Sequence, residues 1–176
     1  LTSGPFDIEP APSPDGRRVA YTRSGRRGQD VAIVLLDDRE ETRAWETESA
    51  ENFPSWHPDG ESIVFHSRGE GDTQIYERDL ATDALTRLTS QPGPNLVGHL
   101  GPDGTTLAYS SERGGDREVH LLDLTGGIHQ RVTDRSGRDG YPKISPDGKK
   151  IAFHSGIAEK VTVIRVLELA TGEVTE

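Results

Sequence analysis

Short runs of apolar and polar positions recur along the chain at even spacing: Arg18-Val19-Ala20-Tyr21, Ser62-Ile63-Val64-Phe65, Thr106-Leu107-Ala108-Tyr109 and Lys150-Ile151-Ala152-Phe153. A polar, Gly-rich stretch follows each, as in Ser67 to Asp72. A second run comes next, such as Gln74-Ile75-Tyr76-Glu77-Arg78-Asp79-Leu80. A tight turn (Thr82-Asp83, Gly126-Gly127, Thr171-Gly172) leads to a third, such as Leu85-Thr86-Arg87-Leu88-Thr89. Runs of this length, rich in β-branched and aromatic residues and bounded by turn residues, predict strands. No window sustains an i, i+3, i+4 apolar pattern. Val161 to Leu169 comes nearest, and its β-branched content predicts a strand there too.

The strands are punctuated by one turn that occurs four times: Ser13-Pro14-Asp15-Gly16, His57-Pro58-Asp59-Gly60, Gly101-Pro102-Asp103-Gly104 and Ser145-Pro146-Asp147-Gly148. Each proline lies 44 residues after the one before. Pro sets φ at the first corner, Asp bonds the backbone two residues on, and Gly accepts positive φ. Two residues before each proline stand Pro12, Trp56, Leu100 and Ile144, which close a further strand. Four short strands per 44 residues predict an all-β array of four antiparallel blades, approximately 1–44, 45–88, 89–132 and 133–176, in one β-propeller-like domain.

The pattern SPDG-x-x-[IL]-A-[FY], then [IV]-Y, D-L and R-L-T, resembles the TolB-like, PD40-type propeller repeat. The resemblance spans all 176 residues, and Trp56 to Thr89 is its fullest copy. It implies a non-enzymatic, protein-binding scaffold, periplasmic or extracellular. It leaves a second class open: the substrate-gating propeller of a prolyl-oligopeptidase-type serine peptidase, apart from its hydrolase domain. The start and end match repeat boundaries, since Leu1-Thr2-Ser3-Gly4 continues where Thr171 to Glu176 stops. Three assemblies fit: self-closure, completion of a larger ring with other blades or copies, or end-to-end association. The terminal blades are therefore expected to be covered by the chain itself or by another copy.

Composition narrows the partners. The net charge is −10, concentrated at −7 in residues 45–88, which argues against sequence-independent nucleic-acid binding. There is no apolar stretch of about 18 residues, so no membrane insertion is expected. The chain has no Cys and hence no disulfide or thiol chemistry. It also has no Met, from which loss of an N-terminal segment is expected.

Candidate chemistry is sparse. Asp7, Glu51, Asn95 and Asp139 each stand seven residues before a turn proline. If the blades are equivalent, they form an acidic mouth of oxygen ligands suited to calcium or a basic partner segment. The plainer reading is that they are ordinary polar loop residues capping turns. His99, three residues before its proline, is placed beside them. His66 and His154 share a repeat position and read as core or loop histidines. No G-x-S-x-G elbow, phosphate loop or Ser/His/Asp set is present, so no catalytic residue is assigned. Gly25, Gly28, Gly69 and Gly71 read as hairpin glycines, and Asp37 to Glu41 as a solvated edge hairpin.

Overall fold

The computed structural model describes residues 7–24, 28–37, 40–45, 48–69, 71–134, 137–158 and 161–176. Gly25, Asp38, Arg39 and Leu1 to Gly4 lie outside the described residues. Among the described residues there is no helix, and sixteen strands form four antiparallel sheets in sequence order. The first blade holds β1 (Ile8–Pro12), β2 (Arg18–Ser24), β3 (Gln29–Leu35) and β4 (Glu41–Ala44). The second holds β5 (Glu51–Trp56), β6 (Ser62–Ser67), β7 (Gln74–Asp79) and β8 (Leu85–Arg87). The third holds β9 (Asn95–Leu100), β10 (Thr106–Ser111), β11 (Glu118–Asp123) and β12 (Ile128–Arg131). The fourth holds β13 (Asp139–Ile144), β14 (Lys150–Ala158), β15 (Val161–Glu168) and β16 (Val174–Thr175). The fold is thus the all-β, four-bladed propeller type expected from the repeat. The chain divides into two compact units, Leu1–Ser90 and Gln91–Glu176, with two blades in each.

The repeated turn works as its chemistry requires. The N–H groups of Gly16, Gly60, Gly104 and Gly148 donate to the carbonyls of residues 13, 57, 101 and 145 at 2.9–3.0 Å. These glycines have φ between +69° and +77°. Each turn Asp accepts the N–H two residues on, at 2.8–3.1 Å. The second hairpin uses the same device: Asp79 and Asp123 accept the N–H groups of Thr82 and Thr125.

The Arg-x-Thr ending of the repeat pins the outer strand. The N–H groups of Ile75 and Val119 donate to the hydroxyls of Thr89 and Thr133, each at 2.9 Å. The Nε of Arg87 and of Arg131 donates to the carbonyl of the same threonine, at 2.7 and 2.6 Å. Both threonines are buried. Replacing Thr89 by the isosteric Val leaves a buried N–H without its acceptor and should cost about 1–3 kcal/mol in chemical denaturation.

Packing joins the two blades inside each unit. In the first unit Ala20, Val31, Ile33, Trp45, Trp56, Ile63 and Phe65 form one core, with Tyr76 and Leu80 packed against it. In the second unit the core is Ala108, Val119, Ile144, Ile151, Phe153 and Leu167, with Leu121 against it. Leu100, Leu107 and Tyr109 are also buried. Tyr76 and Leu121 on the third strands, and Leu80 just after β7, are only half-buried.

A feature with no glycine to mark it recurs with the same period. Glu9, Phe53, Val97 and Tyr141 all have φ between +52° and +57°. Each sits at a bulge in the first strand of its blade, where the register shifts. Pro10, Pro54 and Pro142 follow three of them, and proline supplies no N–H to a ladder. The neighbouring blade holds the bulge. The N–H of Phe53 donates to Thr22 Oγ1 at 3.2 Å and to Glu9 Oε2 at 2.9 Å, and that of Tyr141 to Ser110 Oγ at 3.1 Å.

Candidate functional site

The four residues seven before the turn prolines stand at the start of the first strand of each blade. Glu51, Asn95 and Asp139 are the first residues of β5, β9 and β13, facing Ser67, Ser111 and Ser155 in register. Asp7 immediately precedes β1 and is half-buried. The other three are buried, so their atoms turn into the protein rather than out to solvent. Each has its own electrostatic setting.

Glu51 lies 3.7 Å from the Arg78 guanidinium. Arg78 also reaches Asp83 at 3.1 Å and stacks over Trp45 at 5.0 Å. The Trp45 indole N–H donates to Asp83 at 2.8 Å. Asn95 caps its loop, its amide donating to the carbonyls of Gln91 and Gly93 at 3.0 and 3.1 Å.

Asp139 is different. It is 1% exposed, and neither carboxylate oxygen takes a hydrogen bond from the described residues. It lies near the buried Glu118, which accepts from Arg131 at 2.6 Å and from Thr133 at 2.5 Å. Burial pushes the Glu118 carboxyl above its usual range; Thr133 and Arg131 oppose this, and Asp139 adds to it. The Asp139 carboxylate is thus a repulsive neighbour to the buried Glu118. Asp139→Asn removes that repulsion and supplies an amide like that of Asn95. It should raise stability on the order of 1–3 kcal/mol, read from the unfolding midpoint.

His99 is half-buried, and its Nδ1 accepts the Ile144 N–H at 3.2 Å. Burial, aided by Lys143, pulls its pKa down to about 4. It therefore positions β13 as a neutral acceptor. His66 stacks on Phe53 and His154 lies tilted against Tyr141, each with centroids 5.1 Å apart. These two histidines thus sit on the bulge residues. Among the described residues no group of three or more His, Cys, Asp or Glu side chains is placed to hold a metal ion. Sequence reasoning missed His120. It is 1% exposed and stacked on Tyr109 at 5.5 Å, and nothing in its spacing marked it.

A cleft of about 450 Å³ opens within the second unit. Leu121, Val132, Ile144, Leu167 and Leu169 are among its walls. Asp103, Arg131 and Glu168 bring charge to it. Nothing in the repeat spacing pointed to it.

Comparison with known proteins places these features. Residues 3–175 match the TolB beta propeller domain family, PD40. The chain belongs to this family. The Tol-Pal system protein TolB of Ruthia magnifica subsp. Calyptogena magnifica is 30% identical over 84 residues, covering 47% of this chain and 20% of that protein. The crystal structure of TolB from Acinetobacter baumannii superposes with a TM-score of 0.85 and 27% identity, over 99% of this chain and 44% of that one. A puromycin-hydrolyzing peptidase of Mycobacterium tuberculosis shares the fold, with a TM-score of 0.76 and 19% identity over 99% of this chain and 29% of the peptidase. The match thus spans less than half the length of these two TolB proteins.

Proposed function

We propose that the chain is a non-enzymatic protein-interaction and assembly scaffold, working in the periplasm or outside the cell. The observation that carries this reading is the family match along residues 3–175, together with a relative named as a Tol-Pal system protein. The partners are proteins, and components of a Tol–Pal-type system are the first to test. The acidic balance of −10 disfavours nucleic acid, and no helix among the described residues is long and apolar enough to cross a membrane.

Self-association through a terminal blade belongs to the same proposal. Among the described residues the last strand, β16, pairs with Val166 and Leu167 of β15 alone. Further along β15, Val161 and Ile164 are 46% and 53% exposed, which suits strand addition by another copy. Mass in solution tests it: a concentration-dependent rise supports association, and a constant monomer mass rejects it.

Calcium at the acidic residues is part of the proposal, centred on Asp139 with Asn95 on the adjoining strand. Binding to the folded state raises the unfolding midpoint once calcium passes its dissociation constant. The midpoint should climb with calcium in the parent chain and stay flat in Asp139→Asn. Equal behaviour of the two removes calcium from the proposal.

The second reading is a gating propeller of a serine peptidase, a protein whose propeller fold resembles this chain across nearly its whole length. At 19% identity that likeness supports the fold alone. A hydrolase segment with a serine elbow in the same open reading frame would favour it.

A further inference from the structure

The period of 44 lets one unit serve as the template for the other, because residues 88 apart occupy the same place in alternate blades. In the first unit Arg18 of the first blade crosses to the second. Its guanidinium lies 4.6 Å above the Trp56 ring, donates to the Gly60 carbonyl at 2.9 Å and sits 3.7 Å from the Asp15 carboxylate. In the second unit the same places hold Thr106, Ile144, Gly148 and Asp103. All four line the 450 Å³ cleft.

The two sites share their frame. Pro14 packs against Gly60 as Pro102 packs against Gly148; a Cβ on either glycine would meet the proline ring at 3.8 or 3.4 Å. At Gly60 the same Cβ would also meet the Arg18 guanidinium at 3.2 Å, whereas at Gly148 no guanidinium lies within 4 Å among the described residues. Gly101 widens the opening. A Cβ there would meet the Ile144 and Asp103 side chains, each at 3.3 Å. The second unit therefore keeps the carboxylate, the glycine and one apolar wall, Leu121 standing where Ile33 does; it lacks the cation and the indole, and carries Leu167 where the first unit has Arg78.

We propose that this cleft is a docking site for an arginine side chain, next to an aromatic residue, in an extended segment of a partner protein. The guanidinium takes the place that Arg18 holds in the first unit, between Asp103 and Gly148. The aromatic ring fills the space over Ile144 that Trp56 fills there, against Leu121 and Leu167. Glu168 adds a second carboxylate at the rim, shared with Lys150 at 2.7 Å. Arg131 is held by Glu118 at 2.6 Å. Glu168 and Arg131 are both committed to ion pairs, whereas Asp103, which accepts the N–H groups of Thr105 and Thr106 and the Thr106 hydroxyl, pairs with no cation among the described residues and so favours a cationic guest over an anionic one.

The inference rests on the reading that the chain binds proteins, but its test needs no cognate partner. The probe is acetyl-tryptophanyl-arginine amide, followed by backbone amide shifts in two-dimensional NMR. Saturable shifts at Thr106, Ile144 and Gly148 are expected, with acetyl-tryptophanyl-glutamate amide at least about tenfold weaker. Thr106→Arg supplies an internal guanidinium and should abolish binding. If that variant's spectrum shows it unfolded, Ile144→Trp fills the cleft from the other side and should do the same. The proposal is overturned by no saturable shift at roughly 10 mM probe, by equal binding of the glutamate probe, or by undiminished binding to a folded, filled variant. Such a failure removes the cleft and leaves the wider reading to titration with whole proteins.

Discussion

Replacing Phe65 by Ala is expected to lower the unfolding free energy by about 3–5 kcal/mol, and Phe153→Ala by a similar amount. Both rings are buried on the second strand of a blade, at the same repeat position. Phe65 packs among Trp45, Trp56 and Ile63 and lies parallel to Tyr76, with centroids 6.4 Å apart. Phe153 packs among Ile144, Ile151 and Leu167. Each ring sits where two blades of one unit meet, so truncation opens a cavity that neither sheet closes without losing its ladder. Guanidinium denaturation gives the number directly. A loss below about 1 kcal/mol for either would mean that the rings do not carry the contact between blades.

Acidification is expected to destabilise the protein through His120. Its ring is buried against Tyr109, and neither nitrogen has a hydrogen-bond partner among the described residues. Burial, with Arg113, Arg131 and His129, lowers its pKa from the usual 6.5 to about 4. The folded value lies below the unfolded one, so the unfolded chain takes up the proton first as the pH falls. The stability this histidine contributes is present above pH 6.5 and drains away between there and about pH 4. At 1.36 kcal/mol per pH unit, the loss approaches about 3 kcal/mol. The second blade carries Tyr76 at this position, so His120→Tyr should shrink the pH dependence over the same window, leaving the share of His99. An unchanged slope in the variant would assign the effect elsewhere.

What was legible in the sequence follows from how local the cause is. The Pro-Asp-Gly turns are made by three neighbouring side chains, so their positions and hairpin role could be read directly. The Arg-x-Thr ending was visible as a repeat, though its job of pinning Ile75 and Val119 needed the third strand in place. The bulges at Glu9, Phe53, Val97 and Tyr141 were not legible, because left-handed backbone is normally flagged by glycine. Only Pro10, Pro54 and Pro142 hinted at them. The burial of Glu51, Asn95 and Asp139 was hidden for the same reason: the bulge just after them shifts the register. The cleft was hidden because Arg18 and Trp56 are 38 residues apart, and only folding shows that one caps the other.

The central claim is that this TolB-family chain binds proteins and performs no catalysis of its own. The direct test is calorimetric titration of the chain with the purified Tol–Pal system proteins of its own organism, with puromycin and peptide hydrolysis followed on the same preparation. The account predicts saturable binding to at least one of these proteins and no hydrolysis above the uncatalysed rate. Hydrolysis by the chain, or a failure to bind any of them, would contradict it.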